Sequence, residues 1–197
     1  TFFNFMKGFC VIESLAGGDL IIPAIMEKFK EILPEALDRN LFELIGKSWM
    51  LITLPDKNSQ SGANAMTASW GCAGILWGKP VCTVFIRPQR YTFGLIEEND
   101  RYSLCFPGEK YRSALNYCGS HSGKNEDKLK NAGLTVFQYD NVPCIEQSEI
   151  VIVCKKLYAD DLKKDAFTDI SPLSNYAKND FHRFYVSQIE KVLIKES

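Results

Sequence analysis

The sequence predicts a mainly β fold with peripheral helices, a small barrel and not a layered α/β sheet. Three observations carry this. Six short segments rich in β-branched and aromatic residues are spread along the chain at irregular spacing. Helical signals fall between and around them without the regular strand–helix alternation of a parallel sheet. No glycine-rich GxGxxG turn is present, which removes the doubly wound dinucleotide-binding fold. At 197 residues the chain is long enough to bury a core without disulfide or metal staples.

Taken in order, Pro23 sits where a first helical turn tolerates it, and Ile25, Met26, Phe29, Ile32 and Leu33 recur at helical spacing. A helix is therefore expected over 24–33, broken by Pro34. Asn40 can cap a short helix through Leu41, Phe42, Leu44 and Ile45 that ends at Gly46. Residues 49–54 read as a strand stopped by Pro55 and Asp56, and the polar stretch 56–64 reads as a loop. Residues 80–86 are a buried strand by their β-branched content, ended by Pro88. Thr92 can cap a helix over 93–98, followed by a strand at 102–106. Helices are expected at 109–117 and 126–132, the second closed by Gly133, and strands at 134–139, 149–155 and 183–191.

Composition bounds the chemistry. With 46% apolar and 24% charged residues the chain is no disordered protein, and its net charge of −1 argues against a strongly basic nucleic-acid binder. Seven cysteines (Cys10, Cys72, Cys82, Cys105, Cys118, Cys144 and Cys154) include no CxxC pair, so no sequence-local metal site is expected. Scattered thiols within apolar runs read as reduced core cysteine without structural disulfides, which points to a cytoplasmic protein. No run of about 18 uninterrupted apolar residues predicts a membrane span. The opening stretch carries Phe2, Phe3, Phe5, Met6 and Phe9 but lacks the basic, apolar and cleavage regions of a signal peptide. Residues 1–25 are read as an extension, and 26–197 as the functional domain.

Three segments can carry chemistry. Asn64, Ala65, Met66, Thr67, Ala68, Ser69, Trp70 and Gly71 combine small residues, which let a ligand approach main-chain N–H groups, with an indole that can cover a ring. They equally suit a polar turn with one packed Trp. Arg87, Gln89, Arg90, Tyr91 and Thr92 place two guanidinium groups and a helix start just past a buried strand, the donor set a phosphate needs, or else a solvated Arg pair. Cys118, Gly119, Ser120, His121, Ser122, Gly123 and Lys124 superficially resemble a P-loop. Three residues between the glycines, and Asn125 where Ser or Thr should bind magnesium, exclude ATP or GTP hydrolysis. With Lys128 behind it, this loop can still touch a phosphate, or can be a plain loop before a helix. His182, before the last strand, is either a structural histidine or a donor to substrate. No GxSxG elbow is present, and the adjacent pairs Glu97–Glu98 and Asp160–Asp161 diverge too far to act as paired acids.

Together these segments resemble the flavin reductase-like family with the FMN-binding split barrel, most closely its flavoredoxin-type branch. The resemblance rests on Leu41 to Lys47 with Trp49 to Thr53, Asn64 to Gly71, Trp77 to Val81, Arg87 to Thr92, Cys118 to Lys124, Lys156 to Asp160 and His182 to Tyr185, in family order. It implies a split β-barrel homodimer with one FMN per subunit near the dimer interface. It further implies Asn64, Met66, Thr67, Ala68, Ser69 and Trp70 along the isoalloxazine, with Arg87, Gln89, Arg90, Tyr91 and Thr92 at the phosphate and ribityl chain. Cys118, Gly119, Ser122, Gly123, Lys124 and His182 would line the pocket. The implied reaction is hydride transfer from NADH or NADPH to FMN, with electrons passing to free flavin, a metal complex or a redox partner protein. That step requires no acid or base, so binding geometry does most of the work and His182 is the one catalytic candidate. The rivals are a non-enzymatic FMN electron carrier and a flavin-free module on the same barrel. Neither nucleic acid nor membrane is an expected partner.

Overall fold

The computed structural model describes residues 28–196. The proposed extension, with Cys10 and residues 24–27 of the helix expected over 24–33, lies outside them. Among the described residues there are ten strands: β1 (Phe29–Ile32), β2 (Met50–Pro55), β3 (Ala63–Ala68), β4 (Gly71–Leu76), β5 (Lys79–Ile86), β6 (Arg101–Phe106), β7 (Val136–Tyr139), β8 (Val142–Ile145), β9 (Ile150–Asp161) and β10 (Arg183–Lys195). Eight make one sheet in the order β3-β2-β6-β9-β10-β5-β4, with β1 added to the far end of β10; β7 and β8 form a separate hairpin. Every pairing is antiparallel.

Alternation along three central strands builds two cores. Met50, Ile52 and Leu54 of β2, Tyr102, Leu104 and Phe106 of β6, and Ile150, Ile152 and Cys154 of β9 face one side. Leu51, Cys105, Val151 and Val153 face the other. The first set shares its cluster with Cys82, Val84 and Ile86 of β5 and Met66 of β3, from the opposite halves of the sheet, so the sheet curls around this core. The second set is covered by helices α3 (Arg112–Ser120) and α4 (Lys128–Asn131) and by the β7–β8 hairpin. Burial on both faces explains why β2, β6 and β9 read as continuous apolar runs.

The sheet is not closed. Its edges, β3 and β4, are consecutive in sequence and joined only by Ser69 and Trp70, yet they do not pair with each other. This split positions the site. Further helical elements are α1, one α-turn (Leu41–Glu43) continuing as a π-turn (Leu44–Ser48), α2 (Tyr91–Glu98), and 3₁₀ turns at Pro34–Ala36 and Glu109–Tyr111. Between β9 and β10 the chain makes a long excursion over residues 162–182, with 3₁₀ turns at Lys164–Ala166 and Ser171–Tyr176, here called the strap.

Several elements differ from the sequence reading. Phe29–Ile32 is a strand, not the end of a helix: the C-terminal half of β10 presents pairing groups, and Phe29 stacks on Phe137 with ring centroids 5.2 Å apart. Strands β3, β4 and β8 were hidden. The β4–β5 and β7–β8 connections are two-residue turns with positive φ at both positions, Trp77 and Gly78 in one and Asp140 and Asn141 in the other, as type I′ hairpins require. Asn40 does cap α1, its Oδ1 accepting from Phe42 N and Glu43 N, but the helix runs past Gly46 as a π-turn. Thr92 is no cap. It lies inside α2, where its Oγ1 accepts from Asn64 Nδ2 at 2.9 Å. The six cysteines among the described residues are free thiols, five of them buried. Among the described residues no helix is long and apolar enough to cross a membrane.

Candidate functional site: a cleft at the open edge of the barrel

A cleft of about 260 Å³ opens beside the β3–β4 corner and is lined by Met66, Thr67, Ala68, Ser69, Trp70, Phe85, Arg87, Arg90, Gly119 and His182. Two hollows adjoin it. One, of about 290 Å³, shares Thr67, Ser69 and Gly119 and adds Trp49, Leu115, Asn116 and Ser120. The other, of about 230 Å³, shares Arg90 and adds Gln89, Tyr91, Thr92, Ser120, His121, Ser122 and Lys128. Together they fall in the range of roughly 300–1,000 Å³ typical of small-molecule sites.

The small side chains of β3 let two elements close on it. Thr67 Oγ1 donates to Leu115 O at 2.5 Å, and a Cβ on Gly119 would sit 3.4 Å from Thr67 Cβ. Arg90 crosses from the start of α2, with Nε donating to Met66 Sδ at 3.3 Å and Nη2 to Gly119 O at 2.8 Å. Its Nη1 has no protein partner among the described residues. Burial, then the nearby Arg87, lowers its pKa, but a guanidinium stays cationic. Lys128 is buried, and its Nζ donates to Cys118 O at 3.0 Å and His121 O at 3.2 Å. Burial pushes its pKa down to about 8. Two cations thus stand at one end of the site.

The strap builds the other end. Arg87 Nη1 donates to Asp180 Oδ2 at 2.5 Å and Nη2 to Asn175 O at 2.9 Å, with the guanidinium 5.4 Å from the centroid of the Tyr176 ring. Gln89 Nε2 donates to the same Asp180 oxygen at 2.7 Å. The Arg87 hydrogen bond holds the Asp180 carboxyl below the usual range. Arg87 is therefore tied to protein groups rather than held open. His182 is buried among Trp70, Phe85 and Tyr176, its ring 5.3 Å from that of Trp70. Burial, then the Arg87 charge, drives its pKa down to about 4, so it is neutral at pH 7.

Of the residues singled out from sequence, Met66, Thr67, Ala68, Ser69, Trp70, Arg87, Arg90, Gly119 and His182 meet in one cleft. Gln89, Tyr91, Thr92 and Ser122 reach the adjoining hollow. Four stand apart from the lining. Asn64 is buried beneath the floor, bonded to Thr92. Gly123 lies against it, so close that a Cβ would fall 2.1 Å from Asn64 Oδ1. The Cys118 side chain is sealed in the outer core, where burial pushes the thiol up to about 11, and only its carbonyl faces Lys128. Lys124 is exposed in the loop. Sequence reasoning missed Phe85, which reads as core within an apolar run but lies on the opposite face of β5 from Val84 and Ile86. It also missed Tyr176 and Asp180, which carry no periodic signal in the strap.

An open antiparallel barrel whose consecutive strands β3 and β4 form its unjoined edges is a split barrel. A family model for the flavin reductase like domain matches residues 45–195, and the chain belongs to that family. No curated protein matches the chain. Among solved structures it is similar to a flavoredoxin from Methanosarcina acetivorans, at 22% identity over 76% of this chain and 69% of that one, with a TM-score of 0.57. Flavoredoxin of Desulfovibrio vulgaris (Miyazaki F) is 21% identical over 83% and 78%, TM-score 0.59. An FMN-binding protein from Thermus thermophilus with bound p-hydroxybenzaldehyde is 20% identical over 85% and 83%, TM-score 0.59. These likenesses establish the split-barrel fold expected from the sequence.

Proposed function

We propose that the protein is an FMN-binding oxidoreductase that takes hydride from NADH or NADPH and delivers electrons to free flavin, a metal complex or a redox partner protein. The observation that carries this is the polarity of the site, with Arg90 and Lys128 at one end and Trp70, Phe85 and the neutral His182 at the other. That donor set fits FMN: cations and the hydroxyls of Thr92 and Ser122 suit a phosphomonoester, and a small-residue floor with aromatic walls suits a flat ring. When bound, FMN supplies the hydride-accepting ring and the redox chemistry. The chain's own work is to bind the phosphate through Arg90 Nη1 and Lys128, to lay the ring along Met66–Trp70, and to exclude water with Trp70. His182 lacks the basicity of a proton acceptor at neutral pH, in keeping with a step that needs none.

Edge strand β4 and its turn expose Ile75, Leu76 and Trp77, an unpaired apolar edge of the kind proteins cover. We assign a second copy of the chain to that edge, which sedimentation of the purified protein tests. The buried free thiols support a reducing, cytoplasmic setting; disulfide-linked protein isolated from its source would oppose it.

The test of function has two steps. Purified protein should show a flavin visible spectrum or gain one on titration with FMN; a colourless protein that binds none refutes the reading. With excess FMN, NADH or NADPH should then be oxidised catalytically. Tight FMN binding without that turnover identifies an electron carrier instead.

A further inference from the structure

Tyr176 reaches from the strap to place its hydroxyl 2.9 Å from Nδ1 of His182. Both residues are buried, and the phenol has no other hydrogen-bond partner among the described residues. His182 Nε2 has no protein partner among them, and the imidazole lines the cleft next to Trp70 and Phe85. Resting on the flavin reading above, we propose that Tyr176 is a positioning residue: its hydroxyl donates to His182 Nδ1, leaving Nε2–H as a hydrogen-bond donor for a carbonyl or ring-nitrogen acceptor of the flavin.

The assignment follows from where the protons can go. A neutral imidazole carries one N–H, on either nitrogen. Were it on Nδ1, that N–H would donate to the phenol oxygen, and the phenolic proton would be buried with no acceptor. With Tyr176 donating, both groups are satisfied and Nε2–H is free for a ligand. The charged groups facing the ring are Arg87 and Asp180, themselves paired. Tyr176 is held by packing on Phe167 and Phe181, with centroids at 6.1 and 4.6 Å, and by the guanidinium of Arg87. The phenol is thus fixed before any ligand arrives. A neutral donor at an acceptor of the ring favours the more electron-rich, reduced form.

The test uses ¹⁵N-labelled full-length protein, free and with saturating FMN. The chain has two histidines, so His121→Gln assigns the His182 signals. In the free protein at neutral pH, Nε2 should show a protonated, pyrrole-type signal and Nδ1 an unprotonated, pyridine-type one. FMN should move the Nε2 signal. Tyr176→Phe keeps the ring packing and removes the donor. It should alter the Nδ1 signal, weaken FMN about two- to tenfold, the scale of one neutral hydrogen bond, and shift the midpoint potential of bound FMN to more negative values. A proton on Nδ1, or on both nitrogens, overturns the proposal. So does an Nε2 signal that saturating FMN leaves unmoved, or a Tyr176→Phe protein whose affinity and potential match the parent. A parent that binds no FMN refutes the flavin reading and the ligand named here, while the free-protein spectra still decide the tautomer.

Discussion

The two ends of the cleft use arginine in opposite ways. Arg87 and Arg90 are three residues apart in sequence, yet Arg87 is charge-paired with Asp180 and lies against the face of Tyr176, whereas Arg90 donates to the uncharged Met66 sulfur and Gly119 carbonyl and keeps Nη1 open. The Arg90 end gathers a second cation, Lys128, against main-chain carbonyls that cannot neutralise it. The Arg87 end neutralises its cation and surrounds the result with rings. The difference teaches that charge at a site is measured by what remains unpaired. On this ground Arg87 anchors the strap, and the proposed phosphate site rests on Arg90 with Lys128.

The sharpest way to break this comparison is Arg90→Ala, which should weaken FMN by about 1.5–3 kcal/mol, the scale of a charge-assisted hydrogen bond. Riboflavin, which lacks the phosphate, should change little; equal losses in a fluorescence titration of both would remove the anion-reading role. Trp70→Leu should do the reverse, weakening FMN and riboflavin alike by about 1 kcal/mol through lost ring contact. Lys128 gives a pH signature. Its pKa lies near 8, so the ammonium is present below that value and is lost as pH rises through it. FMN affinity should therefore fall above pH 8, by about fivefold, with riboflavin flat and Lys128→Met abolishing the dependence. The smallest effect on affinity is expected from Asp180→Asn. The Asp180 carboxylate, held low by Arg87, latches the strap at neutral pH and releases it only as pH falls through its depressed value. The variant should open residues 162–182 to limited proteolysis at neutral pH while FMN affinity changes less than about twofold.

How much of this was legible follows the same physics. Strands β2, β6 and the first half of β9 announced themselves because both of their faces are buried, which leaves mostly apolar runs. Strands β3 and β4 did not, because Ala63, Ala65, Ala68, Gly71 and Gly74 have little β propensity; pairing, not composition, makes them strands. Phe29 and Ile32 fit a helical period equally well, and the open half of β10 decided between the two. Met66 to Trp70, Arg90 and Gly119 were legible as small residues and a cation, and the fold brings them together in one cleft. The Cys118 side chain turns into the outer core, and its carbonyl, which every residue type shares, is what accepts from Lys128. Tyr176 and Asp180 were invisible because a strap without periodicity offers no face to predict, and the fate of Arg87 was hidden with them.

Strand β10 has a consequence for the order in which the molecule can be made. It pairs with β9 along most of its length, with β5 through Arg183–Gln188 and with β1 through Val192–Lys195. Remove it, and the strand pairing falls into a four-stranded sheet β3-β2-β6-β9, a lone β4–β5 hairpin and an unpaired β1. A growing chain must hold those pieces, with their apolar faces, until β10 has been made, since Phe29 waits for Lys195. Such long-range closure is slow. Closure of the barrel thus waits on β10, and its aggregation hazard is concentrated in the interval before that strand is in place.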